Sequence, residues 1–298
     1  MKKIIANSIL LSLSILLMTS CGGNGNENER KDELKDSTAV AETVKTVDEN
    51  SDEKSYTLPS PMQIATILKK SGLKYYGGLT NPIENSSKYR TGKTISKTLG
   101  MGTYLADLSY CILNKQTQET KNYFKTCTQL AETIGLAKAF QTKGVPSRME
   151  KNIGNQDSVF KMLSEIQIET DNLLEENQQN YISVIVFTGA WVETMYIGTQ
   201  VYSKEKNSNV VSNLVEQMGV AENIIKALQA TASKDVDVTG LLQDMNALND
   251  MYNNFKSVKE IKATDPDIID PSKLTISAEE LQSFSKKIEE IRTRIIQG

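Results

Sequence analysis

The sequence predicts an all-α protein whose folded part is a bundle of roughly eight or nine helices. Apolar residues recur at helical spacing over most of 57–298, and no stretch alternates apolar and polar residues as a half-buried strand would. Helix-start patterns also recur, such as Ser277 followed three residues later by Glu280. The predicted organisation is a signal peptide over 1–20, a lipidated cysteine with a disordered acidic tether over 21–56, and an all-helical domain over 57–298.

The N-terminal region has the features of a bacterial lipoprotein signal. Lys2 and Lys3 precede an apolar run of about ten residues, which suits a signal-peptide core and is half the length of a membrane-spanning helix. Small residues come directly before Cys21 and glycines follow it, as in a lipobox, although Met18 stands where leucine is usual. We therefore predict diacylglycerol and palmitate at Cys21, and an ordinary cleaved signal peptide with an incidental cysteine is the alternative.

The segment 22–56 carries the whole net charge expected of the chain after removal of the signal peptide. It holds ten acidic and five basic residues, and its composition of glycine, asparagine and charged residues predicts a disordered tether. The formal net charge of the chain is −3, and removal of Lys2 and Lys3 with the signal would make it −5. The helical domain is then close to neutral, so we predict no binding of nucleic acid.

The helical domain is predicted to begin with a short helix that has Pro61 at its first position and Gly72 at its end. A connector over 75–87 with two tyrosines follows. The next segment, 87–113, is apolar almost all round in its second half, which is typical of a central helix in a bundle.

Five further helices are predicted before a final one. The helix over 181–201 is apolar nearly throughout, but Glu193 and two threonines interrupt it, so we expect a buried core helix and not a membrane span. An Asp- and Pro-rich loop precedes the capping box at Ser277, which opens the charged C-terminal helix. The other four helices are amphipathic and cover 119–140, 157–176, 210–228 and 238–255.

Two pairs of segments resemble each other at similar spacing. Residues 130–137 resemble 214–221, and residues 102–105 resemble 189–192, with offsets of 84 and 87 residues. One interpretation is a duplicated helical hairpin related by pseudo-symmetry. The alternative is convergence, because leucine, alanine, glutamate and glycine are common residues in proteins.

The chain contains no histidine, which excludes a large part of enzyme chemistry. Serine–histidine–aspartate and cysteine–histidine nucleophile systems are impossible, as are histidine-ligated metal sites. The stretch from Asp235 to Gly240 resembles the start of a calcium loop, but Asn246 stands where the bidentate glutamate belongs. We therefore predict no enzyme activity, no cofactor and no metal site.

Two carboxylates stand in strongly apolar helices. Asp107 and Glu193 each stand in a predominantly apolar stretch, where a charge is costly unless it is paired or hydrogen-bonded. One interpretation is a pocket for a small cationic or polyol ligand. The other is that the two acids pair with lysine or arginine, or accept hydrogen bonds, in the core. The aromatic walls of such a pocket would be Tyr104, Tyr110, Trp191 and Tyr196.

Cys111 and Cys127 fall on the two arms of a predicted hairpin that turns near residues 114–118. Their distances from the turn differ by several residues, and this misregister strains the geometry that a disulfide requires. Both a disulfide and two buried thiols remain open, although the misregister favours the thiols.

The lipobox, the acidic tether and the segments 58–65 and 102–110 resemble lipoproteins of Bacteroidota that have no assigned activity. Only lipidation of Cys21 transfers from this resemblance. We expect a cell-envelope protein that is anchored by lipid, in the outer membrane, with its periplasmic or surface face undecided. Its expected role is non-catalytic binding or scaffolding of another envelope component, and the alternative is a small-ligand receptor or carboxylate enzyme at Asp107 and Glu193.

Overall fold

Helices make up nearly all the regular structure that the computed structural model describes, which covers residues 58, 61–70, 72–231, 236–264 and 273–298. The predicted all-α class is confirmed. These ranges contain two 3-10 helices, Ile83–Arg90 and Thr142–Gly144. Their α-helices are α1 Pro61–Lys70, α2 Thr94–Leu113, α3 Thr117–Thr133, α4 Ala137–Gln141, α5 Val145–Asn152, α6 Gln156–Glu176, α7 Asn180–Glu205, α8 Ser208–Met218, α9 Val220–Ala230, α10 Thr239–Asn254, α11 Lys256–Thr264 and α12 Ala278–Gln297.

The helices are more numerous and shorter than the apolar periodicity predicted. The predicted helix over 119–140 is divided into α3 and α4, because Gly135 between them adopts a left-handed φ of +80°. The predicted helix over 210–228 is likewise divided into α8 and α9 next to Gly219. Apolar residues are buried on both sides of each break, Ile134 and Leu136 at the first and Met218 and Ala221 at the second, so apolar periodicity alone does not show where the helices divide.

Helices α2 and α7 cross at the centre of the fold with their backbones in close approach. A Cβ atom added to Gly102 would lie 2.0 Å from the Val186 carbonyl oxygen, and one added to Gly189 would lie 2.4 Å from the Leu99 carbonyl oxygen. Each contacted residue is three positions before the glycine of the opposite helix. The contact is therefore reciprocal, as expected for two helices related by a pseudo-twofold axis, and it uses the 87-residue offset seen in the sequence.

The helices that follow α2 and α7 also correspond in burial. Leu130 of α3 and Leu214 of α8 are both fully buried, at the positions that the sequence comparison aligned. The correspondence ends at the glycines, since Gly135 is left-handed whereas Gly219 has a φ of −62° and α9 starts at once. The burial pattern and the reciprocal glycine contact support the duplication, which stays a prediction.

Helix α7 is a core helix. By length and composition it could cross a membrane, as no other helix in the described ranges could, yet 83% of its most apolar window is buried in the protein. One apolar cluster lies around α7, α8, α9, α10 and α12, and a second lies around α2 to α6. Burial by these neighbours is what the sequence predicted for this helix.

The C-terminal helix α12 begins as predicted. The Ser277 hydroxyl accepts a hydrogen bond from the Glu280 N–H at 3.1 Å, and the Glu280 carboxylate accepts one from the Ser277 N–H at 2.7 Å. This reciprocal pair satisfies two of the free N–H groups at the helix start. The apolar face of α12 packs against the core through Leu281, Phe284, Ile288, Ile291 and Ile295.

Candidate functional site: a buried carboxylate cluster

Asp107 lies on α2 with its carboxylate fully buried. One oxygen, Oδ2, accepts hydrogen bonds from the Asn81 backbone N–H at 3.1 Å and from Asn81 Nδ2 at 2.9 Å. The other oxygen, Oδ1, has no hydrogen-bond partner among the described residues. Asn81 comes from the connector between α1 and the first 3-10 helix, which folds over α2 at this point.

Glu193 lies on α7 and is bound by an arginine from α12. Arg292 donates from Nε to Glu193 Oε2 at 2.7 Å and from Nη2 to Oε1 at 3.0 Å. The same Nη2 donates to Asn81 Oδ1 at 3.0 Å, and the guanidinium lies 4.0 Å from the centre of the Tyr196 ring. Asn81 thus joins both carboxylates, and we call Asp107, Asn81, Glu193 and Arg292 the carboxylate cluster.

Tyrosine hydroxyls fix the connector over the carboxylate cluster. Tyr104 of α2 donates to the Pro82 carbonyl oxygen at 2.7 Å, and Tyr123 of α3 donates to the Asn81 carbonyl oxygen at 2.7 Å. Further along, Tyr110 donates to the Lys74 carbonyl oxygen at 2.6 Å. The three tyrosine hydroxyls therefore bind backbone carbonyl groups of the connector. Those of Tyr104 and Tyr123 position Asn81 between the two acids.

The structure brings together some of the predicted site residues and separates others. Asp107, Glu193 and Tyr196 belong to or border the carboxylate cluster, and Tyr104 binds the neighbouring Pro82. Tyr110 lies about one turn after Asp107 on α2, and its hydroxyl binds the Lys74 carbonyl oxygen and not the carboxylate cluster. Trp191 faces α8, where its Nε1 donates to the Gln217 carbonyl oxygen at 3.3 Å, because it is two residues from Glu193 and so lies on another side of α7.

Sequence reasoning missed Asn81 and Arg292. The signal for Arg292 was present, since it falls four residues after Ile288 and three before Ile295, on the apolar side of the C-terminal helix. A cation at that position must either extend past the apolar surface or find a buried anion. Asn81 stands in an aperiodic loop, where the sequence carries no comparable signal.

Burial and like charge raise the pKa of Asp107 well above its usual range, because the apolar surroundings disfavour the carboxylate and Glu193 adds a second negative charge. The two hydrogen bonds from Asn81 oppose this shift. Burial also raises the pKa of Glu193, against the opposing effect of Arg292. The carboxylate cluster holds two acids and one base, so protonation of Asp107 leaves a neutral ion pair between Glu193 and Arg292.

Arg292 closes the carboxylate cluster toward solvent. Its side chain is 12% exposed, whereas that of Glu193 is 1% exposed. A cationic ligand between the carboxylates and the aromatic rings is one interpretation of the sequence, and in the structure the Arg292 side chain contacts both Glu193 and Tyr196. A cavity of about 10 Å³ lies nearby against Ala106, Tyr110 and Thr194, which is room for about one water molecule.

Cys111 and Cys127 are free thiols, and both are fully buried. The disulfide alternative is therefore not formed, in line with the misregister argument. Burial raises the pKa of both thiols, and the Asp107 carboxylate adds to the shift. Such thiols are protonated and unreactive at neutral pH.

The lipidation residue Cys21, the tether, Asp235 and the loop over 265–272 lie outside the described residues. Asp237 accepts a hydrogen bond from the Thr239 N–H at 2.9 Å, two residues further along the chain and at the first residue of α10. Within the described ranges, no three or more Asp, Glu or Cys side chains are grouped to hold a metal ion.

Comparison with known proteins returned no relative: no family matches the chain, and no curated protein or solved structure is significantly similar to it.

Proposed function

We propose that the protein is a lipid-anchored component of the bacterial cell envelope whose helical domain binds another envelope component without catalysis. The sequence supports anchoring through the lipobox at Cys21 and the predominantly polar segment of 35 residues over 22–56. A flexible tether of that length spans about 30–35 Å on average, so the domain reaches partners away from the membrane surface.

The position of Arg292 is the observation that favours partner binding at the surface over ligand binding at the two buried acids. It takes the place of the cationic ligand that the two acids and Tyr196 would otherwise attract, through two hydrogen bonds to Glu193 and a ring contact. The carboxylate cluster therefore joins the connector, α2, α7 and α12 into one framework. The polar groups of the carboxylate cluster bind one another inside the domain. A partner protein would therefore bind at the outer surfaces of the helices.

The anchoring part of the proposal is tested by metabolic labelling and fractionation. Radiolabelled palmitate should enter the wild type and not Cys21→Ala, and the wild type should sediment with outer membranes after cell lysis. Cys21→Ser serves as a second unlabelled control. Equal labelling of wild type and both variants would contradict lipidation at Cys21.

The binding part is tested by cross-linking in living cells followed by affinity capture. The wild type should yield one abundant envelope protein that Cys21→Ala fails to capture, because the variant lacks the membrane location. A capture pattern that is the same for both proteins would count against an anchored binding module.

A small-ligand receptor is the second candidate, and the unpartnered Oδ1 of Asp107 favours it. A buried acceptor with no partner is unusual in folded proteins. Binding there requires a path past Asn81 or Arg292. Asp107→Asn would abolish ligand binding with stability retained if this candidate were correct, whereas a structural role predicts an effect on stability alone.

A further inference from the structure

A surface groove of about 410 Å³ lies between α10 and the first turns of α12. Its floor is apolar, with Phe255 buried and Met251 partly buried. Asn254 and Ser283 are exposed at its edges. The volume falls within the range of about 300–1,000 Å³ that is typical of ligand sites.

Three carboxylates surround this apolar floor. Asp250 on α10 and Glu279 on α12 are exposed, and neither forms an ion pair with another described residue. Glu280 accepts hydrogen bonds from the Lys256 and Ser277 backbone N–H groups at 2.8 and 2.7 Å. The groove therefore offers negative charge at the rim and apolar surface at the base.

We propose that this groove binds a segment of another envelope protein that presents an arginine or lysine beside an apolar residue. The alkyl part of such a side chain would pack on Met251 and Phe255, and its charged end would reach the carboxylates. This inference rests on the proposed binding function.

Because the groove is open to solvent, a protein segment is a better candidate for its ligand than a free small cation. Asp250, Asn254, Glu279 and Ser283 are all exposed, so a bound cation would be covered on one side only. A protein segment supplies additional contact area around the groove, whereas a free polyamine has none to add.

The test uses the full-length lipoprotein in detergent and a displayed library of random peptides. Selected peptides should be enriched in arginine or lysine next to an apolar residue. Their affinity for Asp250→Asn/Glu279→Gln should be roughly five- to thirtyfold weaker, as expected from the loss of two exposed ion pairs. Glu132→Gln/Glu175→Gln is the matched control, since it removes the same charge from exposed acids on α3 and α6. It should change affinity by less than about twofold.

Selected peptides without a basic residue, or equal binding to both double variants, would overturn the assignment. Binding of spermine with no selection of basic peptides would also overturn it, since that result indicates a small-molecule site. Circular dichroism of each variant confirms that it is folded. Cross-linking that depends on Cys21 can still succeed when the groove assignment fails, so the two proposals are separable.

Discussion

Replacement of Arg292 by methionine should lower the free energy of unfolding by about 3–5 kcal/mol, because it leaves a buried carboxylate without its counter-charge. Methionine preserves most of the packing of the arginine stem, so the loss reports on charge. Glu193 is fully buried and takes two hydrogen bonds from Arg292, and Asn81 Oδ1 loses its donor as well. Urea unfolding followed by fluorescence of Trp191, the only tryptophan, measures the change.

Two further variants make this experiment decisive. Arg294 lies on the same helix as Arg292 and forms a surface ion pair with Asp244 of α10, so Arg294→Met should cost at most about 1 kcal/mol. Arg292→Met/Glu193→Met removes both charges and should recover at least half of the single-variant loss. Equal effects of Arg292→Met and Arg294→Met, or a double variant as unstable as the sum of its singles, would refute the buried ion pair.

Asp107, Gly102 and the two buried cysteines allow three further tests of the core. The pKa of Asp107 in the folded protein lies above the ordinary value of 3.8. The stability that protonated Asp107 contributes is therefore complete below pH 3.8 and is lost as the pH rises through the folded-state pKa. Asp107→Asn should remove this dependence of the free energy of unfolding on pH, as measured by urea titrations at a series of pH values. Gly102→Ala should destabilise by several kcal/mol through contact with the α7 backbone, whereas Gly154→Ala, which meets open space, should change little in thermal melts. Cys111 and Cys127 should react with a thiol reagent only after unfolding.

A pH profile of Asp107→Asn that parallels the wild type would show that Asp107 titrates normally in the folded protein. Equal melting temperatures for the two glycine variants would contradict the close crossing of α2 and α7. Rapid thiol reaction in native buffer, or a disulfide on a non-reducing gel, would contradict two buried thiols.

The central helices could be predicted from sequence because they are buried on almost every side. A helix surrounded by other helices needs apolar residues on every side, and this pattern is visible in 99–113 and 181–201 without a structure. The capping box at Ser277 is similarly local, since both of its partners lie within one turn. The division of 119–140 at Gly135 was missed because a left-handed glycine leaves the apolar period almost unchanged.

The candidate site could be predicted only in part. Asp107 and Glu193 were recognisable because a charge in an apolar helix demands a partner. The partners themselves come from distant parts of the chain, and the hydrogen bond between Asn81 and Arg292 joins residues 211 positions apart. Local periodicity carries no information on such pairing, so the sequence could not decide between an external ligand and an internal arginine.

Hydrogen exchange of the Arg292 side chain tests most directly whether the protein supplies its own cation to the carboxylate cluster. Nuclear magnetic resonance of the Nε–H group compares Arg292 with Arg294, whose side chain is 51% exposed on the same helix. Slow exchange at Arg292 with fast exchange at Arg294 is the predicted result. Exchange at the same rate in both would show that the carboxylate cluster is open to solvent, and it would favour the small-ligand receptor.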